Sequence, residues 1–432
     1  MSMDEVVQTD VLVIGGGPAG STAATLLARR GHDVTLLEKD HHPRFHIGES
    51  LLPANLPLFE QLGVADEVQA IGMPKLGAEF VSSADRRRQD FRFAEAWNKA
   101  QPLAYHVRRS QFDEILIRHA ARSGARVLEG CRARQVEFLP SRAGVRVHAI
   151  DEAGRARQWQ ARFLVDASGR DTCLANQLGC KRRNPRHNSA ALFGHFRGAQ
   201  RYSGERAGYI TIYWFDHGWF WFIPLLDGTT SVGAVVWPYY MKSRSVPVRD
   251  FFMETIARCA PLAERLEGAE LISEVEATGN YSYSATHCHG DNYVMIGDAY
   301  SFIDPVFSTG VMLAMNSAFA GADAVHACLT GSPDAQRLLR RFRRIMDHGT
   351  REFSWFIYRV TQPTMRELFL GPRNPLRMKE ALLSVLAGDI FGETPIWASL
   401  RAFKIFYGLL CVLNPRRTAA ALRRRWLNVQ AA

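Results

Sequence analysis

Asp10-Val-Leu-Val-Ile-Gly-Gly-Gly-Pro-Ala-Gly-Ser21 is the stretch on which the reading of the fold turns. An apolar run, Val11 to Ile14, enters Gly15-x-Gly17-x-x-Gly20. An Ala-rich segment, Ala23 to Arg30, and a second apolar run, Val34 to Leu37, follow and end in Glu38. The order is strand, glycine turn, helix, strand, acid. Gly15 permits the tight turn, Gly17 lets backbone approach a pyrophosphate, and Gly20 lets the helix pack on the strand. The helix N-terminus favours phosphate, and an acid 18 residues past Gly20 suits a ribose 2′-hydroxyl. A dinucleotide-binding unit is therefore expected at the start of the chain.

The 432 residues leave room for a large core and at least two domains. With 47% apolar and 22% charged residues the composition is that of a globular protein. The first residues lack a basic, apolar leader, and the longest late apolar run, Ile405 to Leu413, is about half of a spanning helix. Seven scattered cysteines with no CxxC predict neither a disulfide framework nor a zinc site, and a cytoplasmic setting is expected. His287-Cys288-His289 has no second ligand pair, so no metal is expected.

Charge is uneven. From Gly331 onward 18 Lys and Arg face 7 Asp and Glu, whereas the rest of the chain holds 35 against 36. The excess of positive charge therefore describes the last quarter alone. Arg337, Arg340, Arg341, Arg343 and Arg344 share a predicted helix with Leu338, Leu339, Phe342 and Ile345. After Glu393 no acid follows, while Arg401, Lys404, Arg416, Arg417 and Arg423 to Arg425 alternate with apolar residues. Three readings stay open: helices covering a cleft, a docking face for an acidic carrier protein, and a membrane-surface helix. No stacking pattern points to nucleic acid.

Between these ends, Gly77 to Ser83 and Asp90 to Phe93 read as strands. Ser110 is the expected N-cap of a helix running through Arg122, and Asp151-Glu-Ala-Gly154 is a hairpin turn. Tyr209 to Trp214, Trp219 to Leu225 and Ser231 to Trp237 predict an antiparallel sheet. The loop after Glu38, broken by Pro43 and Gly48, carries Arg44, which is placed to approach a phosphate or a ring and also reads as an ordinary solvated loop arginine.

Gly15-x-Gly17-x-x-Gly20, Arg109-x-x-Phe112-Asp113 and Gly297-Asp298-Ala299 together resemble the FAD-binding signatures of flavoprotein monooxygenases with the p-hydroxybenzoate hydroxylase fold. Ile47-Gly-Glu-Ser-Leu-Leu-Pro53, Pro74-Lys75-Leu-Gly-Ala-Glu-Phe80, the WxWxIP run Trp219-Phe-Trp-Phe-Ile-Pro224 and Phe302 to Val311 resemble the flavin-dependent halogenase branch. The resemblance covers roughly residues 8 to 330 and implies an α/β fold: a Rossmann-like FAD-binding domain, an interleaved antiparallel-sheet substrate domain and a helical C-terminal region. The expected division is 1–75, 105–175 and 275–330 for FAD, 76–104 and 176–274 for substrate, and 331–432 for the basic helical region.

The resemblance also implies roles. FAD, supplied reduced by a separate reductase, is expected against Gly15, Gly17, Ala19, Gly20, Glu38, Arg44, Ile47, Arg109 and Asp298. Ser308, Thr309 and Gly310 would bind the halide, chloride or bromide, and Trp219, Trp221 and Pro305 would wall flavin from substrate. Reduced flavin, O2 and halide give hypohalous acid, which a lysine amine can hold and polarise beside the substrate. Lys75 is the candidate, because burial lowers a lysine's pKa and opens both the ammonium and the amine role. Glu49 is the candidate for assisting it. One departure narrows the branch: tryptophan halogenases carry a glutamate before the Ser-Thr-Gly equivalent, where this chain has Phe307. The expectation is thus an electron-rich phenol or pyrrole, free or carrier-bound, with a flavin hydroxylase or a reductase of unsaturated lipids as the alternative on the same scaffold.

Overall fold

A computed structural model describes residues 6–430 except 186, 280, 281 and 393. Its first sheet is organised by Val6–Ile14, the strand that feeds the glycine turn. Val34–Leu37 flanks it on one side and Ala156–Asp166 on the other, with Arg126–Leu128 and Tyr293–Met295 beyond them; every pair in this row is parallel. A parallel row is covered on both faces, which is why Val11, Leu12 and Val13 are all buried rather than alternating. Helix Pro18–Ala28 crosses back over the row, and helix Gly310–Leu329 packs against it. Cys131–Phe138, Val145–Asp151 and Ala156–Asp166 form an antiparallel meander through the expected hairpin turn.

The second sheet runs Glu270–Leu271, Ala190–Arg197, Thr230–Val236, Gly218–Pro224, Ile210–Phe215, Gly77–Ser82, Arg88–Arg92. It is antiparallel except at one seam, where Ile210–Phe215 lies parallel to Gly77–Ser82. These two strands are far apart in sequence, so the seam is built by tertiary assembly and carries no local signal. The strand Gly218–Pro224 is buried throughout. Trp219, Trp221 and Ile223 enter one core, and Phe220 and Phe222 enter another beneath helix Val248–Ala257, as a two-residue side-chain period requires.

The helices after Gly331 close over the face that carries the tryptophans. Phe353, Phe356, Met365, Phe369, Leu382, Leu386, Leu400 and Phe403 share one core with Trp214, Trp219 and Trp221. Helix Ala335–Ile357 buries Leu339 and Phe342 and exposes its arginines. Ser110 does not cap its helix: Arg109–Arg122 starts two residues earlier than a Ser110 cap would set it, with Arg108 at the cap, which sets Arg109 and Asp113 one turn apart and lets them pair. None of the helices among the described residues is long and apolar enough to cross a membrane.

Candidate active site

A cavity of about 600 Å3 runs from the glycine turn to the tryptophan strand. At one end lie Gly15, Gly17 and Ala19. Gly15 has φ of +102° and would drive a Cβ to 2.3 Å from the Ala167 carbonyl oxygen, so only glycine fits there. A Cβ on Gly20 would sit 1.9 Å from the Gly15 carbonyl oxygen, which is the close helix-to-turn packing expected of the third glycine. At Gly17 the space is open, with Arg44 the nearest group at 3.9 Å. Gly17 also caps helix Pro18–Ala28 without a side-chain bond, so first-turn N–H groups face the cavity.

Glu38 is buried at the end of its strand, accepts the Gly16 N–H at 2.6 Å and the Asp40 N–H at 2.9 Å, and lines the cavity. Arg44 also lines it and lies 3.5 Å from Asp113 and 3.8 Å from Glu38, so the loop arginine is turned inward. Arg109 forks onto both oxygens of the fully buried Asp113 at 2.8 and 2.9 Å and donates to the Ile47 carbonyl at 2.7 Å. Burial raises the Asp113 pKa, but the Arg109 charge and hydrogen bonds outweigh it and the net shift is downward. Asp298 lines the cavity too, and burial pushes its carboxyl up to about 6.

At the far end stand Trp219, Trp221 and Pro305, with the two indoles 6.0 Å apart. Gly233 on the neighbouring strand makes room for Trp221: a Cβ there would lie 2.2 Å from the indole. The Trp221 Nε1–H donates to Ser231 Oγ at 3.1 Å. Ser308, in the left-handed region at φ 58°, and Gly310 line the cavity between these ends. Thr309 caps the 20-residue helix that follows, is buried, and leaves its hydroxyl oxygen without a hydrogen-bond partner.

Lys75 is 2% exposed and lies just outside the cavity lining. Its ammonium donates to Ser50 Oγ and to the Leu51 carbonyl, both at 2.9 Å, and lies 5.3 Å from the centre of the Phe93 ring. Both hydrogen-bond partners are neutral, and burial brings its pKa down to about 7. Behind it, buried His106 bonds to the Gly208 carbonyl at 2.8 Å; burial, then the Lys75 charge, hold this imidazole well below its ordinary pKa.

Glu49 is buried at the cavity edge, but its hydrogen bond comes from His195 Nε2 at 2.8 Å. It is Ser50, the next residue, that touches the amine. Neighbouring side chains of an extended segment point apart, so Glu49 and Ser50 serve different surroundings. Sequence reasoning missed Ser50, His106 and His195. Ser50 lay inside a quoted motif; the histidines carried no local signal. Phe307 is buried and lies parallel to Phe369 with ring centres 6.2 Å apart.

The FAD binding domain family matches residues 8–345. A tryptophan 2-halogenase of Chondromyces crocatus is 37% identical over 78% of this chain, and the match spans 64% of that protein's length. A 1H-pyrrole-2-carbonyl-(peptidyl-carrier protein) chlorinase of Pseudomonas fluorescens is 31% identical over 88% of this chain and 89% of its own. Among solved structures, the myxobacterial chondrochloren halogenase superposes with a TM-score of 0.78 at 34% identity, covering 91% of this chain and 93% of that one. The chain belongs to the flavin-dependent halogenases, a family of FAD-binding oxidoreductases. FAD, halide and O2 are the cofactor and co-reactants that go with that membership.

Proposed function

We propose that this chain halogenates an electron-rich aromatic ring, a phenol or a pyrrole, through hypohalous acid relayed to Lys75. The observation that carries the reading is a buried amine with no carboxylate partner among the described residues, joined to the cavity lining by Ser50. Such an amine is a stronger hydrogen-bond donor than a solvated one and deprotonates near neutrality, which suits either holding hypohalous acid or reacting with it.

Gly15, Gly17, Ala19, Gly20, Glu38, Arg44, Ile47, Arg109 and Asp298 hold the FAD in this reading, and the open space at Gly17 beside a bare helix N-terminus fits its pyrophosphate. Bound in reduced form, FAD supplies with O2 the oxidation of halide to hypohalous acid. Ser308, Thr309 and Gly310 bind the halide at the start of a long helix, where N–H dipoles favour an anion. Trp219, Trp221 and Pro305 separate the flavin end from the substrate. Glu49, held by His195, orients the cavity edge beside Ser50. The apolar Phe307–Phe369 stack leaves no acid at that position, so the ring to be halogenated supplies its own activation, as phenols and pyrroles do. A separate reductase delivers the reduced FAD. In this reading residues 1–75, 105–175 and 275–330 serve FAD, 76–104 and 176–274 serve substrate, and 331–432 form the basic helical region; a carrier-bound substrate is the form suggested by the pyrrole chlorinase relative.

The test is incubation with reduced FAD, O2, chloride or bromide, and a panel of free and carrier-bound phenols and pyrroles, read by mass spectrometry. Replacement of a ring hydrogen by halogen is expected. Gain of oxygen, or of two hydrogens, assigns the site instead to hydroxylation or reduction.

A further inference from the structure

The last two helices, Trp397–Leu413 and Pro415–Gln430, lie at the edge of the molecule. The first buries Leu400, Phe403 and Tyr407 against the core. Its opposite side carries Ile405, Leu409, Val412 and Leu413 at 65, 56, 74 and 74% exposure, and the second helix continues with exposed Leu422, Trp426 and Leu427. Fourteen large apolar side chains are exposed among the described residues, and seven of them fall within positions 405–427. Scattered exposed apolar residues need no explanation; a concentration on one edge does.

Charge accompanies it. Arg401, Arg416, Arg417, Arg423 and Arg424 are exposed on the same two helices, and the sequence has no Asp or Glu after residue 393. Arg417 reaches Glu367 at 3.4 Å and Arg424 reaches the Asp216 carbonyl at 2.8 Å; Arg416 and Arg423 stand on the rim of the apolar strip. Val412 to Arg417 are six consecutive exposed residues where the helices meet, so the junction forms an exposed corner.

We propose that this corner docks the protein on the surface of an anionic lipid bilayer, with Ile405, Leu409, Val412, Leu413 and Trp426 entering the headgroup boundary and the arginines meeting lipid phosphates. An apolar edge with tryptophan and flanking arginines has the composition of an interfacial helix, and arginine stems reach past apolar neighbours to the headgroups. A second copy of the chain is a poorer occupant. A two-fold contact would set these arginines against their own counterparts with no acid on the segment to offset them. The inference stands apart from the halogenation reading.

The test uses the full-length, FAD-loaded protein and vesicles of phosphatidylcholine with or without phosphatidylglycerol. Expected are co-flotation with the anionic vesicles, weakened by salt, and quenching by brominated lipid that Trp426→Phe removes. Leu409→Glu with Leu413→Glu, and separately Arg416→Glu with Arg423→Glu, should each lower the bound fraction about tenfold or more while FAD absorbance and turnover stay unchanged. Failure to float with either vesicle overturns the proposal, as does flotation unaffected by both double substitutions. A discrete dimer by light scattering, or a complex with a purified acidic acyl carrier protein, abolished by the same substitutions while vesicles are ignored, overturns it as well.

Discussion

Arg109 and Lys75 are both cations carried into the interior, and the regions around them are built in opposite ways. Arg109 has a fully buried carboxylate one helical turn away and meets it through two hydrogen bonds. Lys75 has a hydroxyl, a carbonyl and an aromatic ring. The first arrangement cancels its charge locally and fixes a wall of the cavity. The second leaves desolvation unopposed, so the amine's pKa falls to about 7. A buried charge that is paired holds a shape; one that is unpaired carries a shifted pKa.

Four measurements would break or sharpen that contrast. Arg109→Met strands the Asp113 carboxylate inside and should cost about 3–5 kcal/mol in urea unfolding, with loss of FAD; a neutral substitution would mean Asp113 finds another partner. Lys75→Ala should lower halogenation by roughly a hundredfold or more while FAD binding and flavin oxidation persist; loss of FAD instead would make Lys75 a structural residue. The third concerns pH. Lys75 titrates near 7 when folded against an ordinary 10.5, so below about 7 both states are protonated and the burial penalty is whole. Between about 7 and 10.5 the unfolded chain holds a proton that the folded one lacks, and stability rises with pH. Relative to Lys75→Met, wild-type Tm should therefore gain as pH is raised from 7 toward 10; a constant difference would show that the amine is not desolvated. The smallest effect is expected of Ser50→Ala, which removes one hydrogen bond from the amine to a neutral partner, about 1.5–3 kcal/mol while the amine is protonated, and should slow halogenation by roughly tenfold at most, leaving Lys75 on the Leu51 carbonyl.

The legible part of the site was local. Gly15, Gly17, Gly20 and Glu38 follow one another along a strand-turn-helix-strand unit, so spacing alone announces their geometry. Trp219 and Trp221 share a face because a strand repeats every two residues. Ser110 was misread because capping preference weighed a single residue, whereas the Arg109–Asp113 pair decides where the helix begins. Glu49 was the candidate for assisting Lys75; its hydrogen bond comes from His195, 146 positions away.

By itself, then, the sequence determined the nucleotide-binding unit and the family, because each is written in motifs of near neighbours along the chain. Tertiary structure alone decided that Lys75 has no carboxylate partner among the described residues, that Ser50 is its link to the cavity, and that the second sheet contains a parallel seam. It also decided that half of the exposed large apolar side chains among the described residues gather on one basic edge. Those properties depend on which distant segments exclude water from a group or leave it exposed, and desolvation is set by the whole fold.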